Sequence, residues 1–277
     1  MIGQNKILQW VDSNINSFPH FIVLVGLSGS GKKTIAREIS HKISCIYSLC
    51  DIKVDTVREV IDTAYQSNEK IMYCFADADN MRPQAKNALL KITEEPPKNA
   101  YFCLTVTDDS SLLDTIKSRA IVFYMQEYTI PQLKEYYHSM YGVEEPSTEE
   151  VNLFCEIATT PGDIDKLTEY GKDFYDYVEL VVDNIAEVDP ANAFKSSSKL
   201  ALKSDEGYDL RLFFSVVMYV FEQRINSRQI YSTPPGYTKY CTGLITTSRY
   251  FNMVGRLGVN KQQLYDRWVF DIRRDLM

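Results

Sequence analysis

The stretch Phe21-Ile-Val-Leu-Val25 has no polar side chain and runs straight into Gly26-Leu-Ser-Gly-Ser-Gly-Lys-Lys33, after which Ile35, Ile39 and Ile43 recur at helical spacing. An unbroken apolar run of this length reads as a strand buried on both faces, which requires helices on both sides of its sheet. The chain repeats the pattern. Val57, Val60, Ile61 and Ala64 mark a helix, and residues 70–77 (KIMYCFAD) a second buried strand. Residues 82–97 (RPQAKNALLKITEEPP) form a helix stopped by Pro96 and Pro97. Residues 100–107 (AYFCLTVT) are a third strand, 110–119 (SSLLDTIKSR) a short helix and 120–125 (AIVFYM) a fourth strand. Such alternation predicts an α/β unit built on a parallel sheet.

After residue 126 the strand patterns stop. Residues 130–142, 147–161 and 162–186 read as helices, with a turn at Pro161-Gly162, and Ser147 or Thr148 is expected to cap the second. From about residue 172 everything reads as helical except 232–245 (STPPGYTKYCTGLI), which reads as a long loop. The run 212–221 (LFFSVVMYVF) is too short for a membrane span, which needs about 18 or more apolar residues, and reads as a buried helix. Residues 1–10 lack the pattern of a signal peptide. The six cysteines, at 45, 50, 74, 103, 155 and 241, contain no C-x-x-C pair. That argues against a zinc ribbon and suits a reducing, cytoplasmic setting. The three histidines are far apart and read as ordinary surface or core residues. A net charge of −7 argues against a chain coated with nucleic-acid contacts, though not against a local basic strip.

The loop at 26–33 follows the phosphate-binding pattern G-x-x-x-x-G-K-[ST] except at its last position. Gly26, Gly29 and Gly31 let backbone N–H groups converge on phosphate oxygens at a helix N-terminus, and Lys32 would reach the outer phosphates. The hydroxyl that normally ligates Mg²⁺ is replaced by Lys33, and the threonine arrives one residue late, at Thr34. A lysine accepts no hydrogen bond and carries the metal's sign of charge. In the first turn of a helix it is disfavoured by about 0.3–1 kcal/mol. A bound phosphate about 4 Å away would reverse that penalty by a few kcal/mol. The alternative is a glycine-rich turn that holds no ligand.

Residues 75–120, FADADNMRPQAKNALLKITEEPPKNAYFCLTVTDDSSLLDTIKSRA, resemble the AAA+ subunits of DNA sliding-clamp loaders, most closely the delta-prime type of the bacterial replicative polymerase. The resemblance rests on NALLK-x-x-EEPP, the following strand and threonine, and LL-x-TI-x-SR, at gapless spacing. IGQNKIL at 2–8 and DIKVDTVREVID at 51–62 also resemble the family. The likeness is strong over 2–125 and weaker through the helical remainder. It implies a RecA-like AAA+ P-loop domain at 1–126, a small helical lid at 127–171 and an all-α collar at 172–277.

Laid over this sequence, the family pattern also shows departures. Ala76 stands where the metal-binding acid belongs, and Asp77 where the activating acid belongs; shifted by one residue, Asp77 would be the metal ligand and Ala78 would replace the activating acid, so either way one acid is missing. Thr107-Asp108 replaces the sensor pair Thr-Asn, and a carboxylate pointing inward there would repel a γ-phosphate. In the lid, Asp165 holds the place of a second sensor arginine, with Lys166 beside it. The zinc module is absent, and Cys45 and Cys50 are too few to rebuild it, so no metal is assigned. The Ser-Arg element is kept. By resemblance, Arg119 is the finger that reaches a neighbouring subunit's ATP, the alternative being an arginine that caps its own helix.

The resemblance therefore implies a subunit of a hetero-oligomeric ring that loads the sliding clamp onto primed DNA. It would bind ATP or ADP in the loop or neither, with doubtful Mg²⁺ use and little or no hydrolysis of its own. Its partners would be other loader subunits, the clamp and primer–template DNA, with no membrane. Lys86 and Lys91 are expected to face DNA phosphates, or else to form a solvated helix face. Two enzymatic alternatives are a hydrolysing loader motor subunit and an unrelated P-loop nucleotide kinase. A third is a purely structural ring member that binds no nucleotide.

Overall fold

The structure, a computed structural model, describes residues 2–142, 149–185, 187, 196–202, 207–227, 234–255 and 259–277. The expected cap at Ser147 or Thr148 lies outside the described residues. The chain divides into two compact units: Met1–Tyr136 with Thr160–Gly162, and Tyr137–Thr159 with Asp163–Met277.

The first unit holds a parallel sheet of β1 (Phe21–Val25), β2 (Ile46–Cys50), β3 (Ile71–Phe75), β4 (Ala100–Val106) and β5 (Ile121–Tyr124), in the order β2-β3-β4-β1-β5. Successive side chains of a strand face opposite ways. Phe21, Val23 and Val25 accordingly join a core with Tyr73, Phe75, Phe102 and Leu104. That core is closed by α3 (Val54–Gln66) and α4 (Pro83–Glu94) through Val57, Ile61, Leu89 and Ile92. Ile22 and Leu24 join the other core with Met72, Cys74 and Cys103, closed by α1 (Asn5–Ser13) and α2 (Lys32–Lys42) through Ile7, Val11, Ile35 and Ile39. The sheet is thus buried on both faces, as the apolar strand runs require.

The sequence reading found four of these strands and missed β2. That strand pairs with β3 at the sheet's edge, with Ile46 and Leu49 exposed, so it carries no continuous apolar signal. The chain leaves β1 toward β2 on one side and β4 toward β5 on the other. Connections that diverge in this way open a crevice at the carboxyl ends of β1 and β4, where open α/β sheets take their ligands.

The second unit is helical among its described residues. It includes α7 (Glu149–Ile157), α9 (Lys172–Asn184), α10 (Leu210–Asn226), α11 (Pro234–Phe251) and α12 (Lys261–Leu276). Two other helices have residues in it. The first unit ends inside α6 (Ile130–Tyr141), and α8 (Pro161–Tyr170) begins in the first unit and continues here. Gly171, with φ +65°, separates α8 from α9, where the sequence read as one helical stretch. α10 is buried nearly all round, from Leu210 to Phe221, as befits a central helix. Phe213 and Phe214 each meet Trp268 at 5.4 Å between ring centroids.

The expected loop at 232–245 is overturned. Residues 234–251 are helical, and 232–233 lie outside the described residues. Prolines are compatible with a helix's first turn. Gly243 lets the helix approach the Phe221 ring so closely that a Cβ there would stand 3.1 Å from it. Further along the helix, Thr246 and Thr247 are both buried and hydrogen-bonded. Thr246 donates to Asp275 Oδ2 (2.5 Å), and Thr247 donates to Gly243 O (2.8 Å) and accepts from Trp268 Nε1 (3.1 Å). Among the described residues no helix is long and apolar enough to cross a membrane.

Candidate functional site

The loop between β1 and α2 stands at the crevice. Gly29 and Gly31 have φ of +80° and +85°, conformations that side chains with a Cβ rarely adopt. A Cβ at Gly26 would lie 2.7 Å from the Met125 side chain. Gly31 is the N-cap of α2 and supplies no capping side chain, so the helix presents its first N–H groups to the loop. Lys32 is buried, and its ammonium donates to Gly26 O (2.5 Å) and Leu27 O (2.8 Å). Ser30 is buried, and its hydroxyl has no hydrogen-bond partner. Thr34 is exposed on α2, about 100° round the helix from Lys33, so its hydroxyl cannot take that residue's direction.

Other parts of the first unit brace this loop. Tyr128 OH donates to Ser30 O (2.9 Å). Gly162 N–H donates to Gly29 O (3.0 Å), and Thr160 Oγ1 donates to Ser28 O (3.3 Å). Sequence reasoning missed Thr160 and Gly162 as loop contacts, since they are more than a hundred residues away and carry no motif for it. Gln4 is fully buried and exchanges two 2.9 Å hydrogen bonds with the Gln126 backbone, which fixes the N-terminal segment.

Beyond β3 the chain turns sharply, and Asp77 adopts φ +55°. Its N–H donates to Thr105 Oγ1 (3.0 Å), and its carboxylate lies 3.6 Å from the Lys33 ammonium, with both side chains 55 % exposed. The structure therefore brings together the residue that replaces the loop hydroxyl and the acid left at the end of β3. Ala76 offers no ligand. Asp79 accepts from Thr107 N–H (2.8 Å) and Ser111 Oγ (2.9 Å), tying the end of β4 to the turn after β3. Asp108 accepts from Ser110 N–H (2.7 Å) and so caps the short turn Asp109–Ser111.

Arg119 follows α5 (Asp114–Lys117). It donates to Thr115 O (3.2 Å) and to Glu94 Oε1 (3.3 Å), the last residue of α4, and remains 39 % exposed. It both caps its helix and stays reachable from solvent. Lys86 is drawn inward, donating to Ser111 O (2.6 Å) and Asp79 O (3.4 Å). Lys91 is exposed, with its ammonium 5.5 Å from the centre of the Tyr65 ring.

In the second unit, Asp165 accepts from Tyr141 OH (2.9 Å) and Lys166 pairs with Asp209 (2.9 Å). Burial pushes the Asp209 carboxyl up, but the hydrogen bond and charge of Lys166 outweigh it and hold the group below the usual carboxylate range. Asp163 is buried and accepts from Arg211 (2.8 Å) and from Thr159 Oγ1 (2.8 Å). Among the described residues, no group of three or more His, Cys, Asp or Glu side chains is placed to hold a metal ion.

Residues 47–129 match the family described as DNA polymerase III, delta subunit. The delta' subunit of DNA polymerase III from Haemophilus influenzae is 42 % identical over 87 residues, 30 % of this chain and 26 % of that one. A delta' subunit of DNA polymerase III from Yersinia pestis is 38 % identical over 78 residues, 27 % of this chain and 23 % of that one. The gamma subunit of DNA polymerase III from Buchnera aphidicola is 30 % identical over 156 residues, 44 % of this chain and 43 % of that one. All three matches thus stop short of half the relative's length. A point variant of RuvB from Thermotoga maritima superposes with a TM-score of 0.54 at 18 % identity, covering 96 % of this chain and 85 % of that one, a likeness of fold.

Proposed function

We propose that this chain is a delta-prime-type subunit of a hetero-oligomeric clamp loader, which places a sliding clamp on primed DNA during replication. In this reading it hydrolyses little or no ATP and supplies Arg119 to a neighbour's nucleotide. The observation that carries the reading is the contrast between two places in the first unit. Around the loop, Lys33 and Ala76 stand in the metal-ligand positions. Away from it, Arg119 is reachable from solvent, with hydrogen-bond partners at 3.2 and 3.3 Å among the described residues. The division into lid (127–171) and collar (172–277) is part of the proposal, as are the partners: other loader subunits, the clamp and primer–template DNA.

What an arginine does in trans is electrostatic. Charge spreads over the equatorial oxygens as a γ-phosphoryl group transfers, and a guanidinium aimed at them lowers the barrier. The Glu94 contact is exposed and of a kind worth only about 0–1 kcal/mol, so a triphosphate can draw Arg119 away from it. The test is Arg119→Ala in the assembled loader. ATP turnover should fall by about 10³-fold or more, the scale of arginine fingers in related NTPases, with assembly intact. Unchanged turnover would refute the assignment.

A second reading, a hydrolysing subunit of gamma type, is favoured by the longer alignment with the gamma relative, 156 residues against 87 for delta'. Turnover by this chain with clamp and primed DNA would support it.

A further inference from the structure

Folds with this loop take Mg²⁺ through the hydroxyl after the loop lysine and an acid at the end of a neighbouring strand. The residues present here do not fit that ion. Lys33 replaces the hydroxyl, Ala76 replaces the acid and Thr34 faces another direction. The remaining acid, Asp77, lies 3.6 Å from the Lys33 ammonium. A divalent cation at that carboxylate would face a positive charge at close range, and among the described residues no group of three or more His, Cys, Asp or Glu side chains is placed to hold it.

We infer that the loop takes a nucleoside di- or triphosphate without divalent metal, and that the Lys33 ammonium serves as the permanent counter-cation in the ion's stead. The inference rests on reading the loop as a nucleotide site. Three observations point to an anion there. The N-terminus of an eleven-residue helix opens onto the loop from an N-cap glycine with no capping side chain. The Ser30 hydroxyl, 3 % exposed, faces Gly26 across the loop and has no hydrogen-bond partner. Two lysines in succession, Lys32 and Lys33, follow the last loop glycine. Helix N–H groups and an adjacent cation are what a phosphate needs.

Asp77 then has a defined part. It holds the Lys33 ammonium at the mouth of the loop when no phosphate is bound, and competes for it when one arrives. Because both side chains are 55 % exposed, their pairing contributes little to stability, and the ammonium can turn to a phosphate at small cost. Asp77 also repels the phosphate directly. Removing its charge should therefore tighten binding.

The test is equilibrium titration of the full chain with fluorescent mant-ADP and mant-ATP, in EDTA and in millimolar Mg²⁺. The Kd should differ by less than about twofold between the two conditions. In EDTA, Lys33→Ala should weaken binding about tenfold or more, on the scale of a single charge-assisted hydrogen bond, and Asp77→Asn should tighten it about two- to threefold, on the scale of an exposed ion pair. Lys33→Thr restores the hydroxyl and should make binding weaker in EDTA than in Mg²⁺. Unchanged melting curves would show that these exposed positions do not affect folding. Binding only with Mg²⁺, no binding in either condition, or a Lys33→Ala variant that binds like the original would each overturn the inference. None of those outcomes bears on Arg119, whose test reads turnover at a neighbour's site.

Discussion

Replacing Gly162 with alanine tests the bracing of the loop. The new Cβ would stand 2.6 Å from the Gly29 Cα, closer than real Cβ contacts come, and a tight 3.3 Å from its carbonyl oxygen, and backbone cannot rotate aside. Two opposing terms set the result. Alanine near the start of α8 gains up to about 1 kcal/mol over glycine in helix propensity. Overpacking against rigid neighbours costs about 1–3 kcal/mol. Loss of the Gly162 N–H to Gly29 O hydrogen bond costs about 0.5–1.5 kcal/mol more. The unfavourable terms win, by roughly 1–3 kcal/mol overall. The damage should be local, because the contact joins Thr160–Gly162 to the loop and not to the sheet's cores. Hydrogen exchange read by mass spectrometry should show faster exchange in peptides covering residues 26–34, with the β1 and β4 peptides unchanged. Loop exchange equal to that of the original chain, together with an unchanged urea midpoint, would refute the reasoning.

Arg211→Met removes the guanidinium 2.8 Å from the Asp163 carboxylate, which is 5 % exposed, and should cost the second unit about 3–5 kcal/mol in urea unfolding. Acid should expose the Lys166–Asp209 pair. The Asp209 carboxyl is held below its ordinary value when folded, so its stabilisation is present above the unfolded pKa, about 4, and is lost as pH falls through the folded value. Asp209→Asn should therefore be less stable than the original at pH 7, with the difference shrinking as pH falls below about 4. Burial pushes the Cys45 thiol up to about 11, so it should resist maleimide at pH 8 while half-buried Cys241 labels first, as peptide mapping would show.

Much of the first unit was legible because a parallel sheet buried on both faces writes itself as apolar runs. β1, β3, β4 and β5 were found that way, and the loop by its glycines. β2 escaped because its sequence, Ile46-Tyr-Ser-Leu-Cys50, is broken by Ser48 and offers neither a continuous apolar run nor a clean alternation. The helix at 234–251 escaped because Pro234, Pro235, Gly236 and Gly243 read as loop residues, and only the packing of Gly243 against Phe221 explains its glycine. At the site, the missing hydroxyl at 33 and the missing acid at 76 were plain in the sequence. That Lys33 and Asp77 meet was not, since they are 44 positions apart and joined only by the turn at φ +55° after β3. The Asp163–Arg211 pair was invisible for the same reason. Nor could any local pattern show that Glu94 would hold Arg119.

Steady-state ATP turnover by the full chain alone, in Mg²⁺, tests the central claim most directly. The expected result is no turnover above background, with a gain of Mg²⁺-dependent turnover only when Lys33→Thr is combined with Ala76→Asp. Turnover by the unaltered chain in the ordinary enzymatic range, about 1 s⁻¹ or faster, would contradict it.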